Sequence, residues 1–254
     1  VSIMHFLFFG IENDDRSYTI EEVLAIGKDL GIPVIFDNLH HKINPSLENL
    51  SDLDWIRKCK ETWKPIDGVP KIHYSQQDSN KQQGAHSPTI YISEFMRFYE
   101  TIQEETVDIM LEVKDKNFST IKCINAISKK NVMKNLEKEW SLYKYAVLEH
   151  SHKDYLEIRE LLKDKKNPSV MNFYEIIERS LAKEVSVSDG VNAALHIWGY
   201  FKIMATPKEK RQFLKAIDTY KVKGNNLVSI KNQLLKLAIT YEEGYISQSY
   251  YFYL

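Results

Sequence analysis

The chain is poor in cysteine. Cys59 and Cys123 stand in unrelated segments and form no CxxC. That excludes a disulfide scaffold or a four-thiolate zinc site and fits two buried thiols in a reducing cytoplasm. Long apolar runs are also lacking. The longest, Ile3 to Ile11, is interrupted by His5 and is too short to span a bilayer. It has neither the basic start nor the small-residue cleavage site of a secretory signal, so the expectation is a cytoplasmic protein with no membrane partner. A global basic excess is missing too: the net charge is −1, which by itself announces no nucleic acid.

What is present is uneven. Residues 1–130 carry 15 Lys+Arg against 20 Asp+Glu, whereas residues 131–254 carry 19 against 15. An acidic half beside a basic half implies two domains with different work, and carboxylates collect where metal ions are held. Hydrophobic residues make up 43% of the 254, enough for a core in each half.

In residues 1–130, short apolar runs alternate with amphipathic stretches, the rhythm of βα units. Strands are predicted at Phe8–Glu12, Pro33–Asp37, Lys71–Ser75 and Val107–Val113. Between them the first helix opens on a Thr19/Glu22 capping box and closes at Gly31, with Val23, Ile26 and Leu30 along one face. Others run through Leu53, Ile56 and Trp63, through Phe95, Phe98 and Ile102, and through Ile121, Ile124 and Ile127. From about residue 131 the strands stop. Helical spacing marks Leu136–Val147, Phe173–Ile177, Val191–Trp198 and Leu227–Tyr241, and Thr206 to Glu209 is a capping box with Pro207 at the first helical position. The expected fold class is therefore α/β, four βα units over residues 1–130, followed by an all-α domain, residues 131–254; the resemblance set out below makes the four units part of a TIM-type barrel.

Candidate ligands fall at the strand ends. Glu12 ends the first strand, and Asp37 ends the second with His40 three residues on. Lys71 and His73 lie on the third strand, His86 in the loop after it, and Glu112 closes the fourth. In a βα barrel the C-terminal strand ends converge on one mouth. Mixed imidazole and carboxylate ligation suits manganese, iron or zinc better than magnesium. Taken singly, each residue has a plainer reading: Glu12 as a helix cap, His86 as a surface histidine, Lys71 as an edge lysine. His41 reads as the solvent-facing neighbour of His40, and His5 has no partner in sequence. The joint pattern favours a metal site, because three of the eight histidines, His40, His73 and His86, belong to it.

Five motifs in order carry a resemblance. They are Ile11-Glu12-Asn13-Asp14-Asp15 with Tyr18-Thr19; Phe36-Asp37-x-x-His40-His41 with Asn44-Pro45; Pro70-Lys71-Ile72-His73-x-Ser75; Gly84-Ala85-His86; and Met110-Leu111-Glu112-x-Lys114. Over roughly residues 11–125 the chain resembles the UV-damage endonucleases. The resemblance implies a TIM-type barrel with up to three divalent metal ions, manganese foremost, that nicks UV-damaged double-stranded DNA on the 5′ side of a photolesion in excision repair. It makes Glu12, Asp37, His40, His73, His86 and Glu112 metal ligands, with Lys71 and Glu112 in catalytic places, the lysine as a position that can be carboxylated. It also implies that this chain starts at the family's fifth strand, without two further histidine ligands and the lesion-probing residues, as in a fragmentary gene. The polypeptide alone is then expected to be weak or inactive.

Residues of about 136–252 resemble an uncharacterised all-helical family that occurs alone or fused to other proteins. Its motifs here are Trp140-x-x-Tyr143-Lys144-Tyr145, Glu149-His150-Ser151, Asn192-Ala193-Ala194-x-x-x-Trp198-Gly199-Tyr200-Phe201, Glu209-Lys210 and Ser249-Tyr250-Tyr251. No activity follows from it. His150, His152 and His196 read as packing or capping residues, and the tyrosines as bundle core or as base-stacking groups. Two other functions stay open: a sugar isomerase or other metal-barrel enzyme, and a dead remnant whose helical domain binds protein or nucleic acid.

Overall fold

A computed structural model describes residues 10–254. The chain divides into two compact units that meet between Ile124 and Asn125. The predicted residues Phe8 and Phe9 and the unassigned His5 lie outside the described residues.

The first unit contains four strands, β1 (Ile11–Glu12), β2 (Val34–Asp37), β3 (Lys71–Tyr74) and β4 (Asp108–Leu111). They form one sheet in the order β1-β2-β3-β4, every neighbouring pair parallel. Helices α1 (Ile20–Leu30), α2 (Asn38–Ile43), α3 (Asp52–Lys60) and α4 (Ile92–Ile102) lie between them, and α5 (Asn117–Ile127) follows β4. This is the expected succession of four βα units. Strand alternation sends Val34, Phe36 and Ile72 to one face, where they pack with Ile20, Val23, Leu24, Trp55, Ile56 and Ile102. The opposite face carries Glu12, Asp37, His73 and Met110, and Met110 is half exposed.

The Thr19/Glu22 capping box forms, and Gly31 ends α1 with φ of 66°. The buried stripe of α1, however, is Ile20, Val23, Leu24 and Gly27, while Ile26 and Leu30 are exposed. Gly27 is the reason: a Cβ there would stand 2.3 Å from Val34 Cγ2, so the helix can approach β2 closely only along that face. On α5 the buried side is polar, with Ser119, Lys122 and Cys123, and Ile124 is exposed. Ser119 Oγ accepts from the Ile90 amide at 2.8 Å. α3 stops at Lys60, short of Trp63, whose indole N–H donates to the Val34 carbonyl at 2.8 Å. Both cysteines are buried and outside any disulfide, and burial pushes the Cys59 thiol up to about 12.

The second unit is helical: α6 (Val132–His150), α7 (His152–Leu161), α8 (Val170–Leu181), α9 (Val187–Trp198), α10 (Pro207–Lys223), α11 (Leu227–Thr240) and α12 (Gly244–Ser247). Serine hydroxyls cap α7, α8 and α9 through Ser151, Ser169 and Ser186, and the Thr206/Glu209 box opens α10. Leu148, Ala194, Ile197, Phe201, Phe213, Ile217, Ile230 and Leu234 form its centre. Among the described residues no helix is long and apolar enough to cross a membrane.

Glu139, on α6, is buried and accepts from the Tyr174 hydroxyl at 3.3 Å. Burial pushes its carboxyl up to about 7. The folded state therefore holds this proton more tightly than the unfolded chain. The favourable contribution is complete below about pH 4.5 and is lost as pH rises through about 7. Glu139→Gln should stabilise the protein at about pH 8, on the order of 3 kcal/mol, and change little near pH 4. Urea denaturation at the two pH values checks this; an equal effect at both would refute it.

Candidate metal centre

Glu12, Asp37, His40, His73, His86 and Glu112 gather at the C-terminal edge of the sheet, held there by backbone clamps, whereas Lys71 begins β3. The Asn13 amide accepts from the Asp37 N–H at 2.9 Å and donates to the Asp37 carbonyl at 3.1 Å, tying the end of β1 to the end of β2. Asn38 repeats the device one strand on: Ser75 N–H donates to its Oδ1 at 2.8 Å and its Nδ2 donates to the Ser75 carbonyl at 3.1 Å. The Glu112 amide donates to the Tyr74 carbonyl at 2.9 Å, which extends β4 alongside β3.

Glu12, His73 and Glu112 each present one ligand atom within 4.8 Å of the others. His73 Nδ1 lies 2.6 Å from Glu12 Oε2 and 3.0 Å from Glu112 Oε1. Neither contact is aligned as an N–H···O hydrogen bond, so this buried nitrogen is left without one. His86 Nδ1 stands 3.7 Å from the other Glu112 oxygen. A folded loop returns it there: Gln77 and His86 bridge, Ser87 N–H donates to the Gln76 carbonyl at 2.7 Å, and Asp78 N–H to the Ala85 carbonyl at 2.7 Å. Gly84, in that loop, has φ of 88°, the left-handed region that glycine adopts without strain.

Asp37 and His40 form the neighbouring group. Asp37 Oδ1 caps α2 by accepting the His40 amide at 2.8 Å, whereas its fully buried Oδ2 has no hydrogen-bond partner. His40 Nδ1 lies 2.9 Å from the Asn13 carbonyl. A carbonyl only accepts, so Nδ1 carries the proton and Nε2 keeps the lone pair a metal needs. The His40 and His86 rings are 6.3 Å apart. Lys71 shares the His73 face of β3, and its ammonium lies over the Trp63 ring at 5.4 Å. His41 departs from its expected place. Its Nδ1 is buried, and its ring packs against Phe36 and Trp55.

Charge follows the geometry. The Glu112 and Glu12 carboxylates push His73 up to about 10. His73, then His86 and His40, hold the Glu112 carboxyl below its usual range despite partial burial. Burial raises the Asp37 carboxyl, and the nearby Glu112 and Glu12 add to that rise. Three carboxylates thus converge with three imidazoles, and two buried polar atoms, Asp37 Oδ2 and His73 Nδ1, lack hydrogen bonds. This donor set fits one or more divalent cations of the manganese, iron or zinc type. Asn13 and Asn38 are the residues that strand-end reasoning passed over. Each immediately follows a strand-ending carboxylate, which marks its position but not its distant partner.

The UV-endonuclease UvdE family matches residues 5–142, more than half of the chain. The chain belongs to that family. A second family, of proteins of unknown function (DUF1722), matches residues 144–254. Among curated relatives, a UV DNA damage endonuclease of Clostridium perfringens is 40% identical over 179 residues, covering 67% of this chain and 41% of the relative. A putative UV-damage endonuclease of Acanthamoeba polyphaga mimivirus is 33% identical over 113 residues, 44% of this chain and 34% of the relative. The crystal structure of SacUVDE is 41% identical, with a TM-score of 0.41, and the match covers 50% of this chain and 40% of that one. The chain thus spans about a third to two fifths of the length of these relatives.

Proposed function

We propose that the first unit supplies one side of the metal centre of a UV DNA damage endonuclease that nicks UV-damaged duplex 5′ to photolesions. Glu12, Asp37, His40, His73, His86 and Glu112 are its ligands and manganese is its first candidate metal. The observation that carries this reading is the convergence of Glu12, His73 and Glu112 from three different strands on one point. Membership of the UvdE family gives that point its chemistry.

When bound there, metal ions supply hydroxide near neutral pH, polarise the phosphoryl oxygen and stabilise the leaving alkoxide. The chain's own residues do the positioning. Asn13 holds the β1 and β2 ends at fixed spacing and orients His40. The loop closed by the Gln77–His86 bridge carries His86 to Glu112. Lys71, two residues before His73 on the same strand face, is the residue we assign to carboxylation. Carboxylation would remove its positive charge and with it the attraction to the Trp63 ring, releasing the side chain toward the site.

At its β4 edge the sheet face that bears Met110 is open among the described residues, Met110 being half exposed, although Ile35 and Asp37 on the same face are buried, and parallel sheets are ordinarily covered on both faces. We take its cover to be the barrel half that longer relatives contain, with further ligands and the lesion-probing wall. On this reading the 254 residues tested alone nick DNA weakly or not at all. The helical domain as a binding module beside a silent barrel half is the second reading, favoured by that same open face.

Manganese binding by the 254-residue chain tests the site directly. Titration followed by electron paramagnetic resonance should detect a bound ion, and Glu12→Gln or Glu112→Gln should weaken it by more than the roughly 10- to 100-fold typical of residues that merely support a ligand. Unchanged affinity in both variants would remove these residues from the site.

A further inference from the structure

The second unit brings together motif residues that the metal centre does not use. Lys144 and Tyr145 sit on α6, Tyr200 lies just past the end of α9, and Tyr245 is on α12. The Tyr145 hydroxyl donates to the Tyr200 hydroxyl at 3.1 Å. The Tyr200 and Tyr245 rings stand 6.0 Å apart and are splayed by 40°. The Lys144 ammonium lies 4.6 Å over the Tyr145 ring and 4.8 Å over the Tyr245 ring.

Core packing does not account for this group. Tyr145 belongs to the central cluster, but Tyr200 and Tyr245 do not, and each is more than a third exposed. Exposed Lys202 and Ile203 follow Tyr200 after the buried Phe201. We infer that Tyr200, Tyr245 and Lys144 form a binding site for single-stranded nucleic acid, the two rings taking a base and the ammonium a phosphate.

Three features favour that ligand. The ring separation is close to two base-stacking repeats of about 3.4 Å each, so a small opening of the splayed pair admits one planar base. Stacking on tyrosine tolerates any base, and a lysine beside the rings supplies the backbone contact such sites need. Charge agrees as well, since residues 131–254 carry four more Lys+Arg than Asp+Glu while residues 1–130 carry five fewer. Lys144 now covers the Tyr245 ring. A phosphate that draws the ammonium outward uncovers that ring, so the two contacts form together.

The test is fluorescence anisotropy of a labelled 15-nucleotide oligothymidylate with the full chain, in chelator so that the metal centre plays no part. Wild type should bind. Tyr200→Ala and Tyr245→Ala should each weaken binding at least roughly fivefold, the smallest effect expected of a lost stacking partner. Tyr200→Phe and Tyr245→Phe keep the rings and should stay close to wild type. They also separate stacking from any loss of fold. Lys144→Gln should reduce the salt dependence by about 0.7 of a logarithmic unit per decade, one single-strand phosphate contact. Glu112→Gln should bind like wild type, which keeps this result apart from the metal-site reading. Absence of oligothymidylate binding by the wild type would overturn the inference. So would binding that both alanine variants leave intact, or equal binding of a duplex that ignores the tyrosines.

Discussion

In a chimera in which this chain replaces the matched segment of the Clostridium perfringens UV DNA damage endonuclease, Glu112→Gln is expected to cut manganese-dependent nicking of UV-irradiated duplex by more than about 100-fold. Losing a residue that only supports a metal ligand already costs roughly 10- to 100-fold. Glu112 does more than support. One oxygen lies 3.0 Å from His73 Nδ1 and the other 3.7 Å from His86 Nδ1, so it spans two imidazoles. The amide replacement keeps the shape and removes the charge that offsets a cation. His150→Ala in the same chimera should leave nicking near its starting level, because His150, whose Nδ1 contacts the Lys183 carbonyl at 2.6 Å, sits in the helical unit. Nicking scored on supercoiled plasmid after UV exposure reads both variants. Incision that survives Glu112→Gln would place the chemistry elsewhere and sink the proposed site.

Much of this site was legible because strand ends are. Short apolar runs located β2, β3 and β4, and the polar residues that end them fell at one edge of a parallel sheet. Glu12, His73 and Glu112 then meet from three strands. The sequence was silent where the structure depends on backbone approach or on polar clamps. Counting apolar residues assigned Ile26 and Leu30 to the buried face of α1, but the face is set by Gly27, which has no hydrophobicity to count and fits because it lacks a side chain. α2 escaped notice because it begins on Asn38 directly after a strand, with Asp37 serving as both strand end and helix cap. His41 read as exposed because its neighbour His40 faces the site. The short helix instead turns it onto Phe36 and Trp55. The pairing of Asn13 with Asp37 spans 24 residues and has no local spacing that would betray it.

Manganese affinity of the chain is expected to rise about tenfold for each unit of pH between about pH 6.5 and about pH 8.5, with close to one proton released per ion. The cause is His73. Without a cation, Glu112 and Glu12 hold its imidazole protonated up to about 10, well above the ordinary 6.5. A protonated imidazole has no lone pair to offer, so a metal must expel that proton at any pH below about 10, at a cost that shrinks as pH rises. Glu112 adds no slope, because its carboxyl is held below the usual range and is ionised throughout. The same linkage acts on the metal-free fold in the opposite direction. A raised imidazole contributes stability that is complete below about pH 6.5 and disappears as pH climbs through about 10. Bound metal replaces that contribution, because a cation then takes the place of the proton between the two carboxylates. Calorimetric titration in buffers of different ionisation enthalpy counts the protons released, and His73→Ala should flatten the dependence as well as weaken binding. A wild-type affinity that does not change over that range would mean that His73 does not meet the ion.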